Sequence, residues 1–216
     1  MPIPLRGLAT TTCLFLFLTS LLQAQSDCTT KLEQDSIKIW VCKVNNSKYK
    51  AVKSSFIMKG HLQQAASMIL DIEHMGAWNY KTLSARTLKK ISDQELIYYT
   101  EIEAPVLTDN RDFVIHLTMK QDPKSKEIAV NLSSMPDYLP PKKGVVRVPF
   151  SEARWGIRQI DRSTLQIDYY IEIDLGGTVP PWMVNMVAHR APYETFLGMK
   201  NSIGKYKSQK VPFIKE

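Results

Sequence analysis

The side chains able to do chemistry are few and scattered along this chain. Its four histidines, His61, His74, His116 and His189, show neither metal-ligand spacing nor the i, i+4 pattern of an HExxH zinc helix. No GxSxG turn exposes a nucleophilic serine, and no glycine-rich loop is suited to cradle phosphates. These patterns point to no catalytic residue, no metal and no cofactor. Arg111-Asp112 reads as a structural turn pair rather than a catalytic one. Cys28 and Cys42 lack nearby histidines and do not make a zinc site. In an oxidising compartment they permit one disulfide, while a free buried Cys42 is the alternative. The C-terminal segment instead carries Met183, Met186, Val187, Tyr193, Phe196, Leu197 and Met199. Methionine is flexible and polarizable, so such a surface adapts to apolar ligands of varied shape. An ordinary packed helix is the competing interpretation.

The elements that position these residues begin after an export signal. Arg6, an apolar centre from Cys13 to Leu22, and Leu22-Gln23-Ala24 match the three regions of a secretory signal peptide. Residues 1–24 are therefore expected to be removed, which takes away Arg6 and lowers the formal net charge from +7 to +6. The apolar run is too short for the ~20 residues of a spanning helix. A positive balance suits approach to anionic membranes, though charge spread along the chain also serves solubility alone. No basic-aromatic block of the nucleic-acid-reading kind is present. With 44% hydrophobic residues, the mature chain can bury one core as a single domain, expected as a monomer.

Within that domain, strands over 37–44 and 49–58 flank an Asn45-Asn46-Ser47 turn and read as a hairpin. Residues 25–36 are an N-terminal segment before it. Leu62, Ala65, Ala66, Ile69 and Leu70 recur at helical spacing, predicting a helix over 61–74 stopped by Gly76. From there to Gly177 the period is two, as in an antiparallel sheet with one dry face. Leu165, Ile167, Tyr169, Ile171 and Ile173 alternate against Gln166, Asp168, Tyr170 and Glu172; Phe113, Ile115, Leu117 and Met119 alternate in the same way. A loop with Pro136, Pro140 and Pro141 interrupts the strands. Pro180-Pro181 opens a final helix expected to reach about Tyr206, bent or loosened at Pro192. Residues 209–216 form a tail. The fold class is α+β, a curved sheet wrapped around one long helix.

In this order the residues resemble the START (steroidogenic acute regulatory protein-related lipid transfer) domains, from about Ile37 to about Tyr206. The resemblance rests on Ile69-Leu70-Asp71 followed by Met75-Gly76-Ala77-Trp78, on Asn110-Arg111-Asp112-Phe113-Val114 and on Gly144-Val145-Val146-Arg147. Trp155-Gly156-Ile157 follows, then Ile173-Asp174-Leu175-Gly176-Gly177 and Val179-Pro180-Pro181-Trp182-Met183-Val184-Asn185. The resemblance implies a helix-grip domain over 37–208, with an apolar tunnel for a lipid and a gate formed by the last helix and a neighbouring loop. The residues expected at the ligand are Trp78, Leu117, Trp155, Tyr169, Ile171, Met183, Met186 and Val187. Glu101, Glu103, Arg111 and Asp112 are the candidate cavity or structural polar groups. Sterol-binding members face a buried acid against a buried arginine. Here Glu101 or Glu103 could supply the acid, but Leu117 takes the arginine's place, which argues against a sterol. Two other readings stand beside the carrier: a helix-grip cyclase or aromatase, and an envelope interaction module with no cavity. His116, on the face opposite Leu117, argues against the first.

Overall fold

The structure is a computed structural model that describes residues 27–45, 47–104 and 108–216. The expected signal peptide and its cleavage point lie outside the described residues. The chain opens with three antiparallel strands, β1 (Cys28–Gln34), β2 (Ile37–Cys42) and β3 (Ala51–Lys59). Helix α1 (Leu62–Leu70) follows, then a short 3-10 helix (Ile72–Ala77) and strands β4 (Thr82–Ser92), β5 (Glu95–Ile102), β6 (Asn110–Gln121) and β7 (Ile128–Ser134). After β8 (Val145–Arg147), β9 (Phe150–Asp161) and β10 (Thr164–Asp174), the chain ends in α2 (Pro181–Val187), α3 (Arg190–Ser202) and a 3-10 turn (Ile203–Tyr206). The strands make one sheet in the order β1-β2-β3-β10-β9-β7-β6-β5-β4, with β8 pairing parallel to β6. The curved sheet closes around the C-terminal helix.

Alternation decides which face is dry. Across the middle of the sheet Tyr169 lies opposite Trp155, Trp155 opposite Val130, and Val130 opposite Met119. The partner of a concave residue is concave, so one apolar row crosses four strands. Four differences from the sequence pattern matter for function. Residues 28–34 form a strand rather than a loose segment, because Asp35 and Ser36 take positive φ values of 53° and 57° and close a tight hairpin onto β2. Cys28 faces Cys42 across that hairpin, and the two are joined by a disulfide with S–S 2.01 Å.

Helix α1 ends at Leu70, not near His74. Asp71 leaves helical geometry, and its carboxylate accepts from His74 Nδ1 (2.8 Å) and the Tyr206 hydroxyl (3.1 Å). The tail also belongs to the core. Val211 and Ile214 are buried, and the Glu216 carboxylate accepts the N–H groups of Leu62 and Gln63 at the start of α1. Those N–H groups have no partner within the helix itself, so the tail acts as a cap.

The long final helix is two helices. Pro192 cannot donate to the carbonyl four residues back, at Ala188, and its ring crowds that carbonyl. The break falls at Ala188 and His189, between α2 and α3. Helix α3 then lies directly on the chain at Trp78: a Cβ on Gly198 would stand 2.2 Å from the Trp78 carbonyl oxygen, so only glycine permits this approach.

Candidate ligand-binding site

The concave face changes character along its length. Near α1 it is solid: Met119, Ile128, Ile157, Leu165 and Ile167 are all at 0% exposure. Further along the same strands Phe113, Leu132, Tyr169, Ile171 and Ile173 are only partly buried. These are inward residues by register, so their accessibility means that the space in front of them is not filled by side chains. At the boundary Phe196 from α3 stacks on Phe56 at 4.2 Å and meets Trp155 and Tyr169 edge-on at 6.0 and 5.6 Å. Trp155 and Tyr169 touch at 4.4 Å. Such ring contacts add about 0.5–1.5 kcal/mol each beyond the area they bury. The inward row of α3, namely Pro192, Thr195, Phe196 and Met199, follows helical spacing. Phe196 and Phe56 are the central aromatic pair that sequence pattern alone does not single out.

Two cavities open at the accessible end. One of about 440 Å³ is lined by Thr108, Asp109, Arg111, Val146, Gly177, Thr178 and Val179. The other, about 470 Å³, includes Tyr49, Phe150, Ile173 and Asp174.

Five of the expected ligand residues gather on or beside the concave face. Leu117 and Trp155 are buried there, Tyr169 and Ile171 are partly accessible, and Trp78 is buried under α3 with its indole N–H unpaired among the described residues. Met183, Met186 and Val187 do not join them. The break before Pro192 frees α2 from the tunnel axis, and all three are exposed, as is Trp182 at 64%. Asn185 ties α2 to the 48–50 segment, accepting from the Lys50 N–H (3.0 Å) and donating to the Lys48 carbonyl (3.2 Å). Lys43, Lys48 and Lys50 are exposed on that segment.

The polar candidates divide between the faces. Glu101 lies opposite Asp112 on the convex side, one residue out of phase with the inward Thr100 and Phe113. The Lys142 ammonium (2.7 Å) and the Asn110 amide bond the Glu101 carboxylate and hold its pKa below the usual range against the effect of burial. Asp112 takes a two-pronged bond from Arg147 at 2.8 and 3.0 Å. Arg147 also donates to the carbonyls of Pro136 and Leu139, fastening the proline loop. Glu103 pairs with Lys81 at the surface. Neither glutamate therefore supplies a cavity acid, because strand phase turns Glu101 outward and Glu103 lies beyond the strand. His116 also faces outward, against Glu95 at 2.6 Å. Tyr98 and Tyr169, both pushed well above the ordinary phenol range by burial, lie on the inner face, as does Arg111.

The START domain model matches residues 22–207. The chain belongs to the START domain family. A crystal structure of a STAR-related lipid transfer protein from Xanthomonas axonopodis superposes with a TM-score of 0.77 at 24% identity, covering 82% of this chain and 99% of that one. Human StAR-related lipid transfer protein 5 superposes with a TM-score of 0.72 at 16% identity over 85% of this chain and 89% of its own. Mouse phosphatidylcholine transfer protein is 26% identical over 123 residues, which span 55% of this chain and 56% of that protein. An uncharacterized protein of Pseudomonas aeruginosa is 26% identical over 80% of this chain and 85% of its own length. The helix-grip architecture is thus that of the START family, and membership supports lipid binding at a coarse level.

Proposed function

We propose that this START domain holds a lipid or similar apolar molecule non-catalytically in the space between the concave sheet and α3, and carries it between membranes. The observation behind this reading is the gradient along the inner face, from full burial at Leu165 to partial accessibility at Ile171 and Ile173 on one strand. A protein core of ordinary density would bury both ends alike. The inner face favours a carrier over an enzyme, since among the described residues its neutral phenols and the outward-turned Glu101 offer no poised acid-base group. Helix α2 serves as the docking element: Trp182, Met183, Met186 and Val187 are exposed beside Lys43, Lys48 and Lys50, a combination suited to an anionic bilayer surface. Export with removal of residues 1–24 completes the proposal and places the carrier in the periplasm or outside the cell.

Organic extraction of gently purified protein, followed by mass spectrometry, tests the carrier reading. A stoichiometric apolar molecule is expected; protein that neither co-purifies with nor takes up any lipid from vesicles would overturn it. Intact mass of exported protein tests the start near Gln25.

A further inference from the structure

Arg111 on β6 is buried and Arg147 on β8 is partly buried, and their surroundings are opposite. Arg147 is saturated: the Asp112 carboxylate takes two of its nitrogens, and loop carbonyls take more. Arg111, one residue from Asp112 and therefore on the other face of the sheet, is 5% exposed and has no carboxylate within 4 Å among the described residues. Its Nη1 donates to the Asp109 carbonyl, and its Nε reaches the Leu175 carbonyl only at 3.5 Å. Nη2 bonds no described residue. It lies beside Gly177, 3.3 Å from where a Cβ would stand, and faces the 440 Å³ cavity. The nearby acids are otherwise placed. Asp109 is exposed, and Asp174 accepts from the Gly176 N–H (2.8 Å) and sits by the Tyr49 hydroxyl.

A buried guanidinium without a counter-charge is costly, and its planar fork matches carboxylate or phosphate. On the same face of β6, Arg111 is followed by Phe113, Ile115, Leu117 and Met119, a row that runs from the mouth into the dry core. One cation therefore stands at the end of a long apolar track. From this juxtaposition we infer that Arg111 is a headgroup subsite: the ligand is an amphiphile whose polar end is an oxyanion, carboxylate or phosphate, held by Arg111 at the mouth while its chain lies along the β6 row. This rests on the carrier reading and narrows its ligand class.

The test compares ligands identical except for charge, delivered from cyclodextrin so that no membrane surface contributes. Oleic acid is set against oleyl alcohol, and dioleoyl phosphatidic acid against dioleoylglycerol, with inorganic phosphate as a third arm. Wild-type protein is expected to bind each anion roughly tenfold to hundredfold more tightly than its neutral twin, the range a charge-assisted hydrogen bond supports. The preference should persist at high salt, because a buried pair is weakly screened. Arg111→Leu should lose the preference for the anion over its neutral twin. Arg111→Lys, which keeps charge but not the fork, should retain part of it. The wild-type comparison stands even if Arg111→Leu does not fold. Equal affinity for charged and neutral twins overturns the subsite and leaves the carrier intact, whereas no binding of either twin overturns both. Arg111-dependent binding of phosphate without any lipid would overturn the headgroup and leave a free-anion site.

Discussion

The two ends of the concave sheet are held together by different forces. Near α1 the inner face is stabilised by apolar burial, with Leu165, Ile167, Ile157, Ile128 and Met119 sealed from water. At the other end the inner residues are half open, and the strands are fastened by other means. Cys28–Cys42 staples β1 to β2 beside the Val52–Ile171 pairing. On the convex side Asp112–Arg147 and Glu101–Lys142 pin the proline loop. Non-directional burial needs contact on all sides, whereas a covalent bond or a two-pronged ion pair can hold a wall with space in front of it. That is how a domain keeps both a stable fold and a place for a ligand.

The sharpest break of this comparison is Asp112→Ala, which removes a buried carboxylate and leaves the partly buried Arg147 without its partner. A loss of about 3–5 kcal/mol is expected in urea unfolding; a loss below about 1 kcal/mol would mean that the pair is not what holds the open end. Next comes a matched pair on one strand. Leu165→Ala should cost about 2–5 kcal/mol, and Ile173→Ala, eight residues along the same face, clearly less. Equal costs would show both ends to be packed alike. Reducing the disulfide, or replacing Cys42 by serine, should cost about 3 kcal/mol from the freed loop of 14 residues' separation. Thermal unfolding with and without reductant measures it.

A smaller effect concerns pH. The folded pKa of Glu101 lies below its unfolded value of about 4.3, chiefly through the Lys142 hydrogen bond. Its stabilisation is therefore complete above that value and is lost as pH falls through the folded pKa. Lys142→Ala should flatten stability against pH in the acid range, and an unchanged profile would remove the pair from the account. Smallest for stability is the double change Trp182→Ala and Met186→Ala, expected to stay within about 0.5 kcal/mol because both side chains are exposed. The same protein should bind anionic vesicles more weakly; unaltered binding would take the docking role away from α2.

Much of the fold is legible in the residues themselves. Period-two alternation in Leu165 to Ile173 and in Phe113 to Met119 marks the inner face without any partner, and Pro192 marks the weak point of the last helix. The site is legible only in part. Met183, Met186 and Val187 have the composition of a tunnel wall yet face water, since composition says nothing about which side of a broken helix is covered. Glu101 and Arg111 are both charged residues near a strand end, but sheet phase across β5 and β6 sends one outward and the other inward.

The amino-acid sequence by itself determined the strand faces and the weak point of the last helix, because these depend on pleat and proline, which act within a few residues. The tertiary structure alone decided that the inner face is sealed at Leu165 and open at Ile173, and that Arg147 has a carboxylate while Arg111 has none among the described residues. Burial and charge pairing depend on what stands opposite, brought there by segments as far apart in the chain as β3, β6 and α3, and no local pattern records that meeting.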